Sequence, residues 1–281
     1  MKVGIIGPGL IGGSMGLDLL RRGFADEVFG VEKDPVAADA AVRLGLVSAV
    51  LPLRECVRRS DLLVLAVPVD AAVEMIPGLL DLVAGSGKTL MDVCSVKRPL
   101  CKAAEGHAAR GRYVAAHPMA GTEYSGPWAA EPGLFDGRAC IICDAGASDP
   151  DALELVGRLC DTLNMRMSLL GAAEHDLHVA YVSHISHVTS FALALTVLDK
   201  ERDEKHIFDL ASGGFSSTVR LAKSSPDMWK PILAHNRDNV LEVVDTYIGR
   251  MQEFRDAVAE GDTERIGELI TEANRIKRIL K

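Results

Sequence analysis

At 281 residues and 48% apolar composition, the chain has enough apolar material for one large or two ordinary folded domains. Lys and Arg number 31 against 39 Asp and Glu, a formal charge of −8, which disfavours nucleic acid or an anionic membrane surface as the main partner and points to a small ligand. Met1-Lys2 runs straight into the glycine-interrupted Val3 to Gly7, too short for a signal peptide. The most apolar helical stretch, Val188 to Leu198, falls short of the roughly 20 residues that span a bilayer. A cytoplasmic protein with no membrane partner is expected.

Strand candidates are Lys2 to Ile6, Val28 to Val31, Leu62 to Val67, Thr89 to Val93, Tyr113 to Ala116 and Ala139 to Cys143. They are continuous Val, Ile and Leu runs separated by helical stretches, the pattern of a parallel sheet covered on both faces in a doubly wound α/β fold. The first of them ends in Gly7-Pro8-Gly9-Leu10-Ile11-Gly12, a full G-x-G-x-x-G that opens a helix. Gly7 suits the tight turn, Gly9 lets a pyrophosphate approach the backbone, and Gly12 lets helix and strand pack closely. Dinucleotide binding at Gly7, Gly9, Leu10, Ile11 and Gly12 is expected, with the phosphates at the helix N-terminus.

Glu32 follows the second strand candidate, where an acidic residue accepts hydrogen bonds from the adenosine ribose. A carboxylate there repels a 2′-phosphate, so NAD is favoured over NADP, with the neighbouring Lys33 moderating that preference. Val67 and Pro68 turn the chain away at the carboxyl edge of the sheet, the edge where such folds bind ligands, and join the cofactor set. Ser95 stands at the same edge and could offer a hydroxyl to a ligand or cap the next helix. His117 leads His117-Pro118-Met119-Ala120-Gly121-Thr122-Glu123, read as a turn after a strand, and its near-neutral pKa suits it to proton chemistry.

Cys140 and Cys143 have a C-x-x-C spacing, but on a strand that spacing puts the two sulfurs on opposite faces, so no metal or redox role is expected. A helix from Asp151 to Leu163 and a strand from Arg166 to Leu169 finish the sheet, and the composition then turns helical. The domains are drawn as 1–171, a Rossmann dinucleotide-binding domain, and 172–281, an all-helical domain. The helix from about Ala173 to Leu198 carries His175, His178, His184 and His187. At about 100° per residue the first pair faces away from the second, so a four-histidine metal site is geometrically poor and no metal is expected. His175 and His178 are expected to be surface or capping residues.

Four stretches, Gly7 to Ser14, Asp92 to Lys97, His117 to Gly126 and Ser183-His184-Ile185-Ser186-His187, occur in this order over essentially the whole chain, and with them the sequence resembles the prephenate/arogenate dehydrogenase family of tyrosine biosynthesis. The resemblance implies an NAD-dependent oxidative decarboxylation. Hydride leaves the ring carbon bearing the 4-hydroxyl, carbon dioxide is lost and the ring aromatises. It assigns the hydroxyl proton to His117 with Ser95 hydrogen-bonding beside it, and the pocket to His184, His187 and Thr122. It assigns the substrate carboxylate to Arg220 at the end of the glycine-rich segment Leu210 to Ala222, and a gating role to Glu123. Relatives have an acidic residue near Ser217 and a threonine directly before the arginine, whereas this chain has Ser217, Thr218 and Val219. Prephenate and arogenate, or both, therefore stay open as substrates, with a catalytically silent dinucleotide-binding regulator as the alternative of another class.

The C-terminal region repeats Val240, Val244, Tyr247, Met251, Phe254 and Val258, then Ile266, Leu269, Ile270, Ala273 and Ile276, as helix-packing stripes. Such broad stripes suggest intersubunit packing, and in the family the helical domains form a homodimer. The chain stops at Lys281, so no appended regulatory domain is expected.

Overall fold

In the computed structural model, which describes residues 1–204 and 206–279, the apolar runs pair into one sheet. Its strands are β1 (Lys2–Ile6), β2 (Glu27–Val31), β3 (Ala49–Val50), β4 (Leu62–Leu65), β5 (Thr89–Asp92), β6 (Tyr113–Pro118), β7 (Ala139–Cys143) and β8 (Arg166–Leu170). The order is β3-β2-β1-β4-β5-β6-β7-β8. Helices α1 (Leu10–Arg21), α2 (Pro35–Arg43), α3 (Leu53–Arg59), α4 (Val69–Val83), α5 (Arg98–Ala104) and α6 (Pro150–Thr162) form the layers on its two faces. The order reverses at β1/β4, where the crevice of a doubly wound sheet opens.

Period-two alternation divides the central strands between two cores. Leu62 and Val64 join Met15, Leu19 and Val114 on one face, while Leu63 and Leu65 join Ile76, Leu80 and Leu90 on the other. Cys140 belongs to the first core and Cys143 to the second, as their odd spacing requires.

The expectation of a wholly parallel sheet is corrected at β7, which pairs antiparallel to β6 with His117 opposite Ile141. Residues 119–138 contain only a short 3₁₀ turn at Pro127–Ala129 and no crossover helix, so the chain doubles back beside the strand it has just left. His117 itself is the penultimate residue of β6 rather than part of a turn.

After the sheet come α7 (Ala172–Val179), a π-helical segment (Ala180–His184) and α8 (Ile185–Asp203). They form one helix, Ala172–Arg202, of 31 residues with a mean hydropathy of 1.3 over its most apolar window. This corrects the expectation that no helix reaches bilayer-spanning length: by length and composition alone this one does. Its N-terminal half is nonetheless bound to the sheet layer by polar contacts, with Asp176 accepting from the backbone N–H groups of Lys97 and Arg98. Short α9 (Gly213–Thr218) and α10 (Pro226–His235) follow.

The chain divides into two compact units, Met1–Asn236 and Arg237–Lys281. In the second, α11 (Arg237–Glu260) packs on α12 (Thr263–Ala273), joined by the Arg265–Glu253 ion pair at 3.1 Å. Asp262 caps α12 by accepting from the Arg265 N–H. Tyr247, Ile248, Met251, Val258 and Ile270 remain exposed, so the apolar stripe is wider than the contact between these two helices.

Candidate active site

The glycine turn lies at the switch point and its three glycines have different reasons to be bare. Gly7 adopts φ +91° and a Cβ there would meet the Ala66 carbonyl oxygen at 2.5 Å, while one on Gly12 would lie 2.3 Å from the Gly7 carbonyl oxygen. Gly9 is different: its Cβ would come no nearer to protein than 3.9 Å. Packing does not require glycine there, and the bare backbone opens onto a cleft of about 280 Å³. With no side chain on Gly9 to cap α1, the first-turn N–H groups stay available to an anion.

That cleft brings together much of the expected set. Gly9, Leu10 and Ile11 form one wall, and Val67, Pro68 and Ser95 another. Ser95 is not a helix cap, since α5 begins at Arg98 with Lys97 at its N-cap. Glu32 lies outside this cleft, but the Gly7 N–H donates to the Val31 carbonyl at 3.0 Å and so holds the glycine turn beside it. One Glu32 oxygen accepts from the Lys33 and Asp34 N–H groups, which fixes the carboxylate in its turn.

Below the rim, β5 and β6 run side by side with Asp92 opposite Ala115. Ser95 and His117 therefore leave adjacent strands at the same edge. Asp92 and Lys97 are fully buried and ion-paired, and the Asp92 carboxylate also accepts from Tyr113 Oη at 2.6 Å. Burial pulls the Lys97 ammonium down, but Asp92 together with Cys94 and Cys143 outweighs it and the pKa is raised. The ammonium also donates to the carbonyl of Ala116, so the strand that presents His117 is tied to this pair.

His117 is buried, and its Nδ1 lies 2.8 Å from Nε2 of His175. His175 Nδ1 in turn lies 2.8 Å from Asp176 Oδ1. Burial first, and then the neighbouring His175, Lys97 and His184, hold the His117 imidazole well below its usual range, so it is neutral at physiological pH. The expectation for His175 is thereby overturned: it is 1% exposed and bonded to the candidate base, not a surface residue. An unbroken 3.6-residue helix would hold the two histidine pairs in fixed phase, and the π segment at Ala180–His184 breaks that phase between them.

His184 is buried as well, with Nδ1 3.1 Å from the Asn236 amide, and burial lowers its pKa to about 4. His187 stacks on Trp229 of α10 at 3.6 Å, and burial lowers its pKa too. Arg220 donates to Glu123 at 2.8 Å. The backbone amide of Glu123, then the guanidinium, hold that carboxyl below the usual carboxylate range. Thr122 accepts from the Tyr124 N–H in the same loop. His175, Asp176, Lys97, Asn236 and Trp229 are the site residues that sequence reasoning missed. The adjacent His175-Asp176 pair near the start of the long helix was the available signal.

Residues 15–169 match the family model described as prephenate dehydrogenase, nucleotide-binding domain, and residues 171–272 the model described as prephenate dehydrogenase, dimerization domain. The prephenate dehydrogenase of Bacillus subtilis is 28% identical over 264 residues, covering 93% of this chain and 71% of that one. The cyclohexadienyl dehydrogenase of Zymomonas mobilis is 29% identical over 287 residues, covering 99% and 96%. A crystal structure of prephenate dehydrogenase from A. aeolicus, in complex with hydroxyphenyl propionate and NAD+, is 28% identical and superposes with a TM-score of 0.85 over 99% of this chain and 97% of that one.

Proposed function

The chain belongs to the prephenate dehydrogenase family, and from that premise we propose that it oxidises prephenate with NAD, releasing carbon dioxide and 4-hydroxyphenylpyruvate in tyrosine biosynthesis. The observation that carries this reading is a neutral, buried imidazole, His117, at the carboxyl edge of a nucleotide-binding sheet, with its Nδ1 already engaged by His175. A silent nucleotide-binding regulator has no use for that arrangement. When bound, NAD supplies the hydride acceptor.

Gly7, Gly9 and Gly12, with Leu10 and Ile11 in the first turn of α1, would take the pyrophosphate, Glu32 the ribose hydroxyls, and Val67 and Pro68 one wall of the site. His117 accepts the 4-hydroxyl proton on Nε2 as that carbon–oxygen bond becomes a carbonyl, and the Ser95 hydroxyl holds hydroxyl and imidazole in line. Arg220 leaves Glu123 for the substrate carboxylate, which it can grip through two parallel hydrogen bonds. Glu123 thus competes with the substrate for one guanidinium and gates entry, while Thr122, His184 and His187 shape the pocket around the ring.

The division at 171/172 is part of this reading, supported by the two family models, which meet between residues 169 and 171. So is a homodimer formed through the C-terminal helices, supported by their exposed apolar residues, and a cytoplasmic location. A second reading, dual use of prephenate and arogenate, is favoured by the cyclohexadienyl dehydrogenase of Zymomonas mobilis, and Ser217 in place of an acidic residue leaves the side-chain selectivity unassigned. Initial rates for the two substrates against NAD and NADP test both. Prephenate with NAD should be the fastest pair, and turnover of neither substrate with either cofactor sinks the proposal.

A further inference from the structure

Asp176 has both carboxylate oxygens turned to donors. Oδ1 receives the Lys97 N–H at 2.7 Å and His175 Nδ1 at 2.8 Å, and Oδ2 receives the Arg98 N–H at 2.9 Å. What this carboxylate offers His175 is therefore an acceptor, and His175 Nδ1 must carry a hydrogen. A neutral His175 then presents a lone pair on Nε2, the atom 2.8 Å from His117 Nδ1. The only proton that can fill that contact belongs to His117. The other assignment, a cationic His175 donating from Nε2, would bury a second cation at 1% exposure, held by Asp176 as Lys97 is held by Asp92, and would leave His117 Nδ1 bare, which a histidine ¹⁵N–¹H spectrum distinguishes.

We propose that His175, oriented by Asp176, is a positioning residue that locks His117 in the Nδ1–H tautomer, so that Nε2 carries the lone pair that receives the substrate proton. The inference rests on the reading of His117 as proton acceptor and adds what makes its imidazole competent in the ground state. Imidazole in water favours the opposite tautomer, with the hydrogen on Nε2, which would leave two lone pairs facing each other at the His175 contact and no lone pair for the substrate proton. In the step itself the substrate O–H bond breaks and the Nε2–H bond forms. The electron pair of the broken bond becomes the second carbon–oxygen bond as hydride departs to NAD. The imidazolium then donates from Nδ1 into His175, so its charge develops against a chain that ends in a carboxylate. A serine protease uses a buried aspartate on its histidine for the same two purposes, and there the wrong tautomer costs roughly 10⁴-fold in turnover.

The test is the side-chain ¹⁵N–¹H spectrum of the holoenzyme labelled at histidine, at neutral pH without substrate, with the His117 ring assigned by its loss in His117→Asn. His117 should be protonated at Nδ1 and bare at Nε2 in the wild type, and should move to the Nε2–H form in His175→Phe. His175→Phe should lower kcat about 10²- to 10³-fold with KM and NAD affinity changed less than about threefold. His175→Gln, whose amide oxygen can replace Nε2 as the acceptor, should recover about tenfold of that loss. A wild-type His117 protonated at Nε2, or a His175→Phe enzyme within about threefold of wild-type kcat, overturns the proposal. Should the phenylalanine variant fail to fold, the wild-type spectrum and the glutamine variant still decide it. The spectrum needs no substrate, so a wrong tautomer and a wrong substrate are separate failures.

Discussion

Acid should destabilise this protein through His184 by an amount that can be worked from its surroundings. The ring is 1% exposed, and burial lowers its pKa from 6.5 to about 4. Between those values the unfolded chain binds a proton that the folded chain refuses, so stability rises with pH across the window. The contribution is fully present above about pH 6.5, falls as the pH drops, and is exhausted below about pH 4. At pH 5 the linkage comes to about 2 kcal/mol for this one ring. His184→Leu removes the proton site at similar volume, and Asn236 keeps its 2.7 Å bond to the Asp176 carbonyl. The substitution removes a buried Nε2 that has no partner among the described residues and also the Nδ1 that meets the Asn236 amide, and any cost of that at pH 8 drops out when the losses between two pH values are compared.

The assay is urea unfolding at pH 8 and pH 5 at one fixed protein concentration, because a dimer's stability depends on concentration. Wild type should lose about 2 kcal/mol more than His184→Leu between the two pH values. His117 is shifted in the same direction mainly by its own burial, with His184 the last of its causes, so most of its contribution is common to both proteins. Equal losses in the two proteins would refute the reasoning, because His184 would then be protonated alike in its folded and unfolded states.

Arg220→Ala should raise KM for the substrate about 10- to 100-fold with NAD affinity unchanged, the weight of a charge-assisted pair of hydrogen bonds. Glu123→Gln removes the competing carboxylate and should move KM the other way, by no more than about fivefold; steady-state kinetics with separate NAD titrations read both. Gly12→Ala should lower the melting temperature, because a Cβ 2.3 Å from a carbonyl oxygen forces overpacking that costs about 1–3 kcal/mol. Gly9→Ala, with no protein atom nearer than 3.9 Å, should melt like wild type and lose NAD affinity, a contrast that thermal melts and cofactor titration would reveal.

The parts of this molecule legible in the sequence are those fixed by local pattern. Continuous apolar runs announced six of the strands and Arg166 to Leu169 a seventh, and the glycine turn announced the cofactor because each of its glycines answers to a constraint of one βα unit. Ala49–Val50 escaped because two residues have no periodicity. The antiparallel β7 escaped because hydrophobicity carries no direction; the missing crossover helix between Pro118 and Ala139 was the signal. His175 escaped for a third reason: its role depends on contacts with β6 and α5, far away in the chain, and on a π turn that no helical periodicity encodes. His117 was singled out by its motif, but its neutrality comes from burial and from the charges around it, which only the fold assembles.

The central claim is that His117 takes the substrate proton, and His117→Asn tests it most directly when assayed for prephenate-dependent reduction of NAD. The account predicts a loss in kcat of about 10²-fold or more, the usual weight of a general base, with NAD affinity and melting temperature preserved. Turnover within a few-fold of wild type in a folded, NAD-binding variant would contradict it.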